Sequence, residues 1–279
     1  MKHTSQENVV RVASFNIRVG VDSSLACVAS DLYSLKADLT AFQELGQHWS
    51  LGISLNQCAY LAKAQGHMQY GFMPLLSRSW SMDPYQGGPF KFDMVLASTQ
   101  SSTQSSIQRG SEGFDNSGYY GIGLSAIGDL CLEQALYLPY VADEQRGAQV
   151  FLWSLQGMSQ PLRVLNTHLS VDETERYAQV LVITKYLRQS TGPLLMLGDF
   201  NDLPNSKSVQ ILKTELGLGN LAESFAQSPE LAEEYSFSVK NPHCRIDHIL
   251  GRGLKVHNFE VAQHIKSSDH FPIWADISW

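Results

Sequence analysis

Cysteine is scarce: Cys27, Cys58, Cys131 and Cys244 are all that 279 residues hold. They form no Cys-x-x-Cys pair and no dense framework. This argues against a disulfide-stapled scaffold and leads us to expect reduced, mostly buried thiols in a cytoplasmic chain. No apolar run approaches the roughly 18 residues of a membrane-spanning helix. The opening MKHTSQENVV has no apolar centre before Arg11, so it does not read as a secretory leader. Positive charge is in deficit, with 20 Lys and Arg against 27 Asp and Glu and a net charge of −7. No basic stripe interleaved with aromatics is present; KTELG and KNPHCR are not such stripes. Both facts argue against a broad grip on nucleic acid. They do not exclude an anionic substrate, which a bound metal and a few arginines can serve on an acidic protein.

What is present is an ordinary foldable composition, 43% hydrophobic and 17% charged, which excludes general disorder. The alternation at 9–16 predicts a strand ending on Asn16. Leu25, Val28, Leu32 and Leu35 predict an amphipathic helix within 22–38. The short run 39–42 predicts a strand ending at Gln43 and Glu44. Residues 74–118 hold Pro74, Pro84, Gly87, Gly88, Pro89 and a Ser/Thr/Gln tract. They predict a long loop with a strand at 91–97, either a substrate-selecting surface or a mobile surface loop. Strands follow at 120–126, 132–140, 148–156 and 161–170, then a helix over 175–190. A buried strand at 193–198 feeds a loop, and a short helix spans 209–218. The strands 245–250, 254–262 and 271–279 close the chain. Two packed sheets with helices outside satisfy this order. No linker divides it, so we expect a flexible N-terminus at 1–8 and one domain over 9–279.

Polar residues recur where apolar strands end: Asn16, Glu44, Asn166 with His168, Asp199 with Asn201, Asp247, and Asp269 with His270. Each alone has an ordinary reading as a local turn, a solvated acid or a structural imidazole. Together they form an oxygen-rich set assisted by two imidazoles. Oxygen donors suit Mg²⁺ or Mn²⁺, and imidazoles suit proton transfer near neutral pH. No HxH or HExxH spacing supports zinc.

The segments VASFNIR (12–18), AFQE (41–44), YGIGLSA (120–126), EQRGA (144–148), LNTHLS (165–170), ERYAQ (175–179), LGDFND (197–202), RIDHIL (245–250) and SSDHFPI (267–273) occur in the order of a known family. The chain resembles the endonuclease/exonuclease/phosphatase family over residues 9–279. GDFND and SDHFPI are the specific motifs; QE and FN are weak singly. The resemblance implies a four-layer αββα sandwich of two mixed β-sheets with outer helices. It also implies a Mg²⁺- or Mn²⁺-dependent phosphoesterase that hydrolyses its ester directly with an activated water.

By the same resemblance, Glu44 holds the metal and Asn16 positions metal or phosphate. His168 contacts a phosphate oxygen. Asp199 and Asn201 align the attacking water and could bind a second metal. Asp269 belongs to the metal shell. His270 is the imidazole of a His–carboxylate pair oriented by Asp247. Whether His270 or Asp199 takes the water proton stays open. Arg146 is expected to face a phosphate, with Arg176 and Gln179 bracing the helix or a nearby loop. Two departures stand out. Ile122 occupies a position where many small members carry asparagine. The glutamate that supports the first histidine in deoxyribonuclease-like members has no clear equivalent, Asp93, Glu112 and Asp172 all being poor matches.

The family spans DNA endonucleases, abasic-site enzymes, sphingomyelinases, inositol-polyphosphate phosphatases and small uncharacterised hydrolases. The motif wording is nearest the last group. We expect a monomer acting on a small or lipid-derived phosphate ester. A DNA endonuclease or exonuclease is the alternative, and a non-catalytic binding relative a further one. Tyr70, Phe72, Trp80, Tyr85, Phe90 and Phe92 could form an apolar wall, giving loop 72–92 a route to a membrane surface; core packing is the other reading.

Overall fold

The computed structural model describes residues 8–49, 55–77, 95–98, 118–142, 144–226 and 234–279. In chain order its elements are β1 (Val10–Asn16), α1 (Leu25–Leu35), β2 (Leu39–Gln47), α2 (Gln57–Gln65), β3 (Gln69–Ser77), β4 (Val95–Ser98), β5 (Tyr119–Ala126), β6 (Asp129–Tyr137), β7 (Gly147–Ser154), β8 (Leu162–His168), α3 (Glu173–Leu187), β9 (Leu194–Asp199), α4 (Lys207–Leu216), β10 (Gly219–Asn220), α5 (Leu221–Phe225), β11 (Asp247–Arg252), β12 (Lys255–Val261) and β13 (Ile273–Ser278). One sheet has the order β12-β13-β1-β2-β5-β3-β4 and the other β10-β11-β9-β8-β7-β6. Each sheet holds one parallel pair, β1 with β2 and β8 with β9. A parallel pair needs a crossover, and α1 and α3 supply the two.

The side chains of β1 explain the layering. Val10 and Val12 face the core between the sheets, whereas Ala13 and Phe15 face α1 and α2. Both faces are covered, so β1 carries apolar side chains on each, with Arg11, Ser14 and Asn16 as its polar members. On the other side α3 and α4 cover the second sheet through Val180, Ile183, Val209 and Leu212. The result is the expected four-layer αββα sandwich. Helix starts are fixed locally: the side chains of Ser24, Asp172 and Ser206 accept from backbone N–H groups in the first turns of α1, α3 and α4.

Part of the expected 74–118 loop is strand. Residues 74–77 complete β3, and Pro74 sits where the β3–β5 register shifts, a place where a missing N–H breaks no ladder bond. Tyr70 and Phe72 are buried under the helices rather than forming an outer wall. Trp80, Tyr85, Phe90 and Phe92 lie outside the described residues, as do residues 1–7 of the expected flexible start. Ile122 is buried in the core between the sheets. Among the described residues no helix is long and apolar enough to cross a membrane.

Candidate active site

The strand ends converge at one edge of the sandwich because β1 and β2 run parallel in one sheet and β8 and β9 in the other. Asn16 closes β1, His168 closes β8 and Asp199 closes β9, while Asp247 opens the antiparallel β11 opposite Asp199. Gly198 is required just before Asp199. Its φ is +146°, and a Cβ there would stand 2.0 Å from the Thr167 carbonyl oxygen of β8.

Asp199 is the centre of the site. Its Oδ2 accepts from Asn16 Nδ2 at 3.0 Å and lies 3.5 Å from His168 Nε2 and 3.6 Å from His270 Nε2. Its Oδ1 accepts from the Asn201 backbone N–H at 2.9 Å. On its far side His270 meets Asp247, Nδ1 to Oδ2, at 2.9 Å. Asp199, Asp247 and His270 thus each offer an atom within 4.8 Å of the others. Burial alone would discharge His270, but Asp247 and Asp199 outweigh it and raise its pKa above the usual imidazole range. Burial raises the Asp199 carboxyl, and the like charge of Asp247 adds to this.

Glu44 joins through Asn16, whose Nδ2 also donates to Glu44 Oε1 at 2.9 Å. The β2–β5 register shifts between Phe42 and Leu45, and at this bulge Glu44 takes a left-handed backbone, φ +55°. A bulge re-aims a side chain out of the strand's alternation. Asn201 is also left-handed, φ +50°. Its amide donates to His168 Nε2 at 3.1 Å and to the Leu169 carbonyl at 2.9 Å.

Arg146 lies against His168, its Nη1 2.9 and 2.8 Å from the two ring nitrogens. Burial, and then the cations Arg146 and His270, hold the His168 pKa well below its ordinary value, so this imidazole is neutral. Among the described residues the carboxylate that meets it is Asp199, at 3.5 Å from Nε2. Asp172 caps α3, and Asp93 and Glu112 lie outside the described residues. Arg146 is instead paired with Glu144 at 3.0 Å, and Glu144 also bonds the buried Tyr120 hydroxyl.

Asp269 stands apart from the buried cluster. Its carboxylate meets Ser268 Oγ at 3.3 Å and the Arg18 guanidinium at 3.5 Å. Arg18 was not singled out in the sequence. Nor were Ser236, whose Oγ accepts from the Ile246 and Asp247 N–H groups, and Phe237, whose ring lies 4.7 Å from that of His270. They fall in a polar stretch without periodicity, so no pattern marks them. Asn166 goes elsewhere, into a network between the sheets. It accepts from Gln43 Nε2 at 2.8 Å and donates to the Gly123 and Phe42 carbonyls.

Arg176 and Gln179 brace loops, as expected. Arg176 bonds Asp202 and the Ser170 and Val171 carbonyls, and Gln179 bonds Ser170 N–H and the Pro139 carbonyl. Glu175 beside them accepts from the Val141 and Ala142 N–H groups.

The donors fit a hard divalent cation. Glu44, Asn16, Asp269, Asp199 and Asn201 offer oxygen atoms, and Asp247 Oδ1 is buried with no hydrogen-bond partner among the described residues. Among the described residues no cysteine joins the group of Asp199, Asp247 and His270 that could hold an ion.

Two stacked mixed sheets with outer helices and a carboxylate–imidazole cluster at one edge define a DNase I-like sandwich. The model of the Endonuclease/Exonuclease/phosphatase family matches residues 13–270, and the chain belongs to that family. Its members are hydrolytic phosphoesterases, typically dependent on a divalent metal. A UPF0294 protein of Vibrio campbellii is 32% identical over 116 residues, 40% of this chain, and the match spans 38% of that protein. An endonuclease/exonuclease/phosphatase family protein from Bacteroides thetaiotaomicron has a similar structure: TM-score 0.67, 14% identity, covering 98% of this chain and 99% of that one. A mannosyl-6-phosphatase of the same organism is also similar, with TM-score 0.64, 14% identity and coverage of 97% and 100%.

Proposed function

We propose that the chain is a Mg²⁺- or Mn²⁺-dependent phosphoesterase that cleaves a small or lipid-derived phosphate ester by direct in-line attack of water. One observation carries this reading: a buried Asp199 carboxylate shared by Asn16, His168, Asn201 and His270, with His270 clamped by Asp247. A phosphate ester repels an attacking oxygen. Glu44, Asn16 and Asp269 would hold a divalent ion, and Asp199 and Asn201 a second; such an ion would supply positive charge to offset that of the phosphate.

The remaining work falls to the protein's own groups. Asp199 orients the attacking water and takes its proton at Oδ2, with His270 Nε2 beside that oxygen. Both nitrogens of His270 face carboxylates, so it acts as a proton-bearing partner of Asp199 rather than as the first base. Asp247 fixes its ring and stabilises its charge. Neutral His168, whose ring the Asn201 amide holds at Nε2, contacts one of the phosphoryl oxygens where charge gathers. Arg146 offers its guanidinium to one of them. The water oxygen bonds to phosphorus as the opposite P–O bond breaks, and no side chain is esterified.

The test is hydrolysis of a substrate panel with Mg²⁺ or Mn²⁺, beside EDTA and Asp199→Ala controls. The panel holds an aryl phosphodiester, a phosphomonoester, phospholipids, plasmid and abasic DNA. Metal-dependent cleavage of small esters or lipids, lost in the variant, is the expected result. Turnover confined to DNA would replace this substrate class with a nuclease, and metal-independent turnover would overturn the mechanism.

A further inference from the structure

Three loops leave the strand ends that carry the candidate site. The β6–β7 connection runs into Arg146, and Leu138 N–H donates to the Arg146 carbonyl at 2.9 Å. The loop after β8 follows His168, and the loop after β9 follows Asp199 and contains Asn201. Each loop exposes one large aliphatic side chain: Val141 is 76% exposed, Val171 65% and Leu203 52%. Single exposed aliphatics are ordinary, but three on adjoining loops beside one site call for a reason.

They are held together by one adjacent pair of residues. Glu175 Oε1 accepts from the Val141 N–H at 2.7 Å. Arg176 Nη1 donates to the Val171 carbonyl at 3.0 Å. Arg176 Nε donates to Asp202 Oδ2 at 2.9 Å, and Asp202 Oδ1 accepts from the Leu203 N–H at 3.0 Å. Glu175 and Arg176 are themselves buried at the start of α3. The backbones bearing all three aliphatics are thus fixed to one helical turn, so their exposure is a built feature of ordered loops.

The charge on these loops narrows what they meet. Segments 138–145, 169–175 and 200–206 carry the acids Asp143, Glu144, Asp172, Glu173, Glu175 and Asp202, and are followed by Arg146, Arg176 and Lys207. With Arg146 paired to Glu144 and Arg176 to Asp202, acids still outnumber cations on these loops, so a polyanion laid along this edge would meet a net negative surface. A neutral aliphatic group attached to one phosphate meets no such penalty.

We infer that Val141, Val171 and Leu203 form a subsite for the apolar organic group of a monomeric phosphate ester whose phosphate lies at Asp199. This deepens the phosphoesterase reading and rests on it. Specificity then comes from aliphatic contact on the alcohol side rather than from basic residues along a polymer.

The experiment compares ethyl phosphate with hexyl phosphate by calorimetry, in the presence of Mg²⁺, and ethyl with hexyl aryl phosphodiesters in turnover. The proteins are the wild type and the combined variant Val141→Ser, Val171→Ser, Leu203→Ser. All three positions are exposed, and none belongs to the site machinery. The wild type is expected to bind hexyl phosphate about tenfold tighter than ethyl phosphate. The variant is expected to bind both as the wild type binds ethyl phosphate, with turnover of the ethyl diester unchanged. Equal affinity for the two in the wild type, or a gain that persists in the variant, overturns the subsite while turnover keeps the phosphoesterase reading. Absence of both ethyl phosphate binding and turnover overturns the phosphoesterase reading, and the subsite with it.

Discussion

The Gln43 side chain, from the seven-stranded sheet, donates to Asn166 Oδ1 of the six-stranded sheet at 2.8 Å. This bond crosses the layer beneath the site. Asn166 Nδ2 returns to the Phe42 and Gly123 carbonyls, at the bulge that turns Glu44 out of its strand. The network is fully buried, so each broken bond leaves a group that water cannot reach.

Asn166→Leu is therefore expected to destabilise the fold by about 2–4 kcal/mol, since one Gln43 Nε2 hydrogen loses its acceptor, Ser14 keeping the other, and the Phe42 and Gly123 carbonyls lose a donor. The check is the urea midpoint, with the slope unchanged. Divalent-ion affinity is expected to fall as well, because the bulge that aims Glu44 loses its partner. A midpoint equal to that of the wild type would show that the network contributes no net stability.

The same region shows what could be read from the residues alone. Strand ends are visible because apolar runs stop at Asn16, His168 and Asp199; Glu44, expected to end its strand, lies inside β2, which continues to Gln47. Asn166 was grouped with His168 as a strand-end polar residue. Two residues apart on a strand they share a face, but sequence does not say that one lies over the core and the other at the edge. The bulge at Glu44 has no signal, because the polar Gln43-Glu44 pair reads as the end of the strand rather than as a shift within it. Helix α2 was not expected, since of its nine residues only Gln57, Cys58, Leu61 and Ala62 are buried and its apolar stripe is short. Pro74 read as a loop because a proline normally ends a ladder. The bonds of Glu144 to Arg146 and to the Tyr120 hydroxyl depend on tertiary placement that no spacing records.

Asp247→Asn tests the orienting role. Asp247 Oδ2 receives the His270 Nδ1 proton at 2.9 Å. An amide can meet that nitrogen with its oxygen but cannot stabilise the imidazolium. The turnover number is expected to fall about 10²-fold or more while KM changes little. A rise in KM at constant turnover would move Asp247 from chemistry to binding.

Stability should depend on pH through His248. This residue is buried beneath the site loop, with Nε2 donating to the Asp202 carbonyl at 2.8 Å. Burial pushes its pKa down from 6.5 to about 4. Below pH 6.5 the unfolded chain takes up a proton that the folded chain refuses, so stability falls as pH drops toward 4. The loss levels off once the folded state also protonates. Its size is on the order of 3 kcal/mol across that window. Urea denaturation at stepped pH is expected to show this slope in the wild type and a shallower one in His248→Gln. Equal slopes would assign the dependence to other groups, among them the buried His67, whose depressed pKa acts with the same sign.

Arg18 gives a prediction of opposite character, a gain on removal. Its guanidinium lies 3.5 Å from Asp269, and its side chain is 47% exposed. Asp269, then Asp22 at 3.2 Å, and further off Glu44 stabilise its charge. A cation held by two proposed metal ligands competes with the metal. Arg18→Ala is expected to tighten Mg²⁺ or Mn²⁺ binding about three- to tenfold at low ionic strength. The gain should shrink in high salt, because an exposed charge is screened. Arg18→Lys, which keeps the charge, is expected to bind metal as the wild type does. Calorimetric titration of the three proteins decides the matter. Unchanged metal affinity with a raised KM would mean that Arg18 faces the substrate instead, and the acidic pair would then need no internal counter-ion.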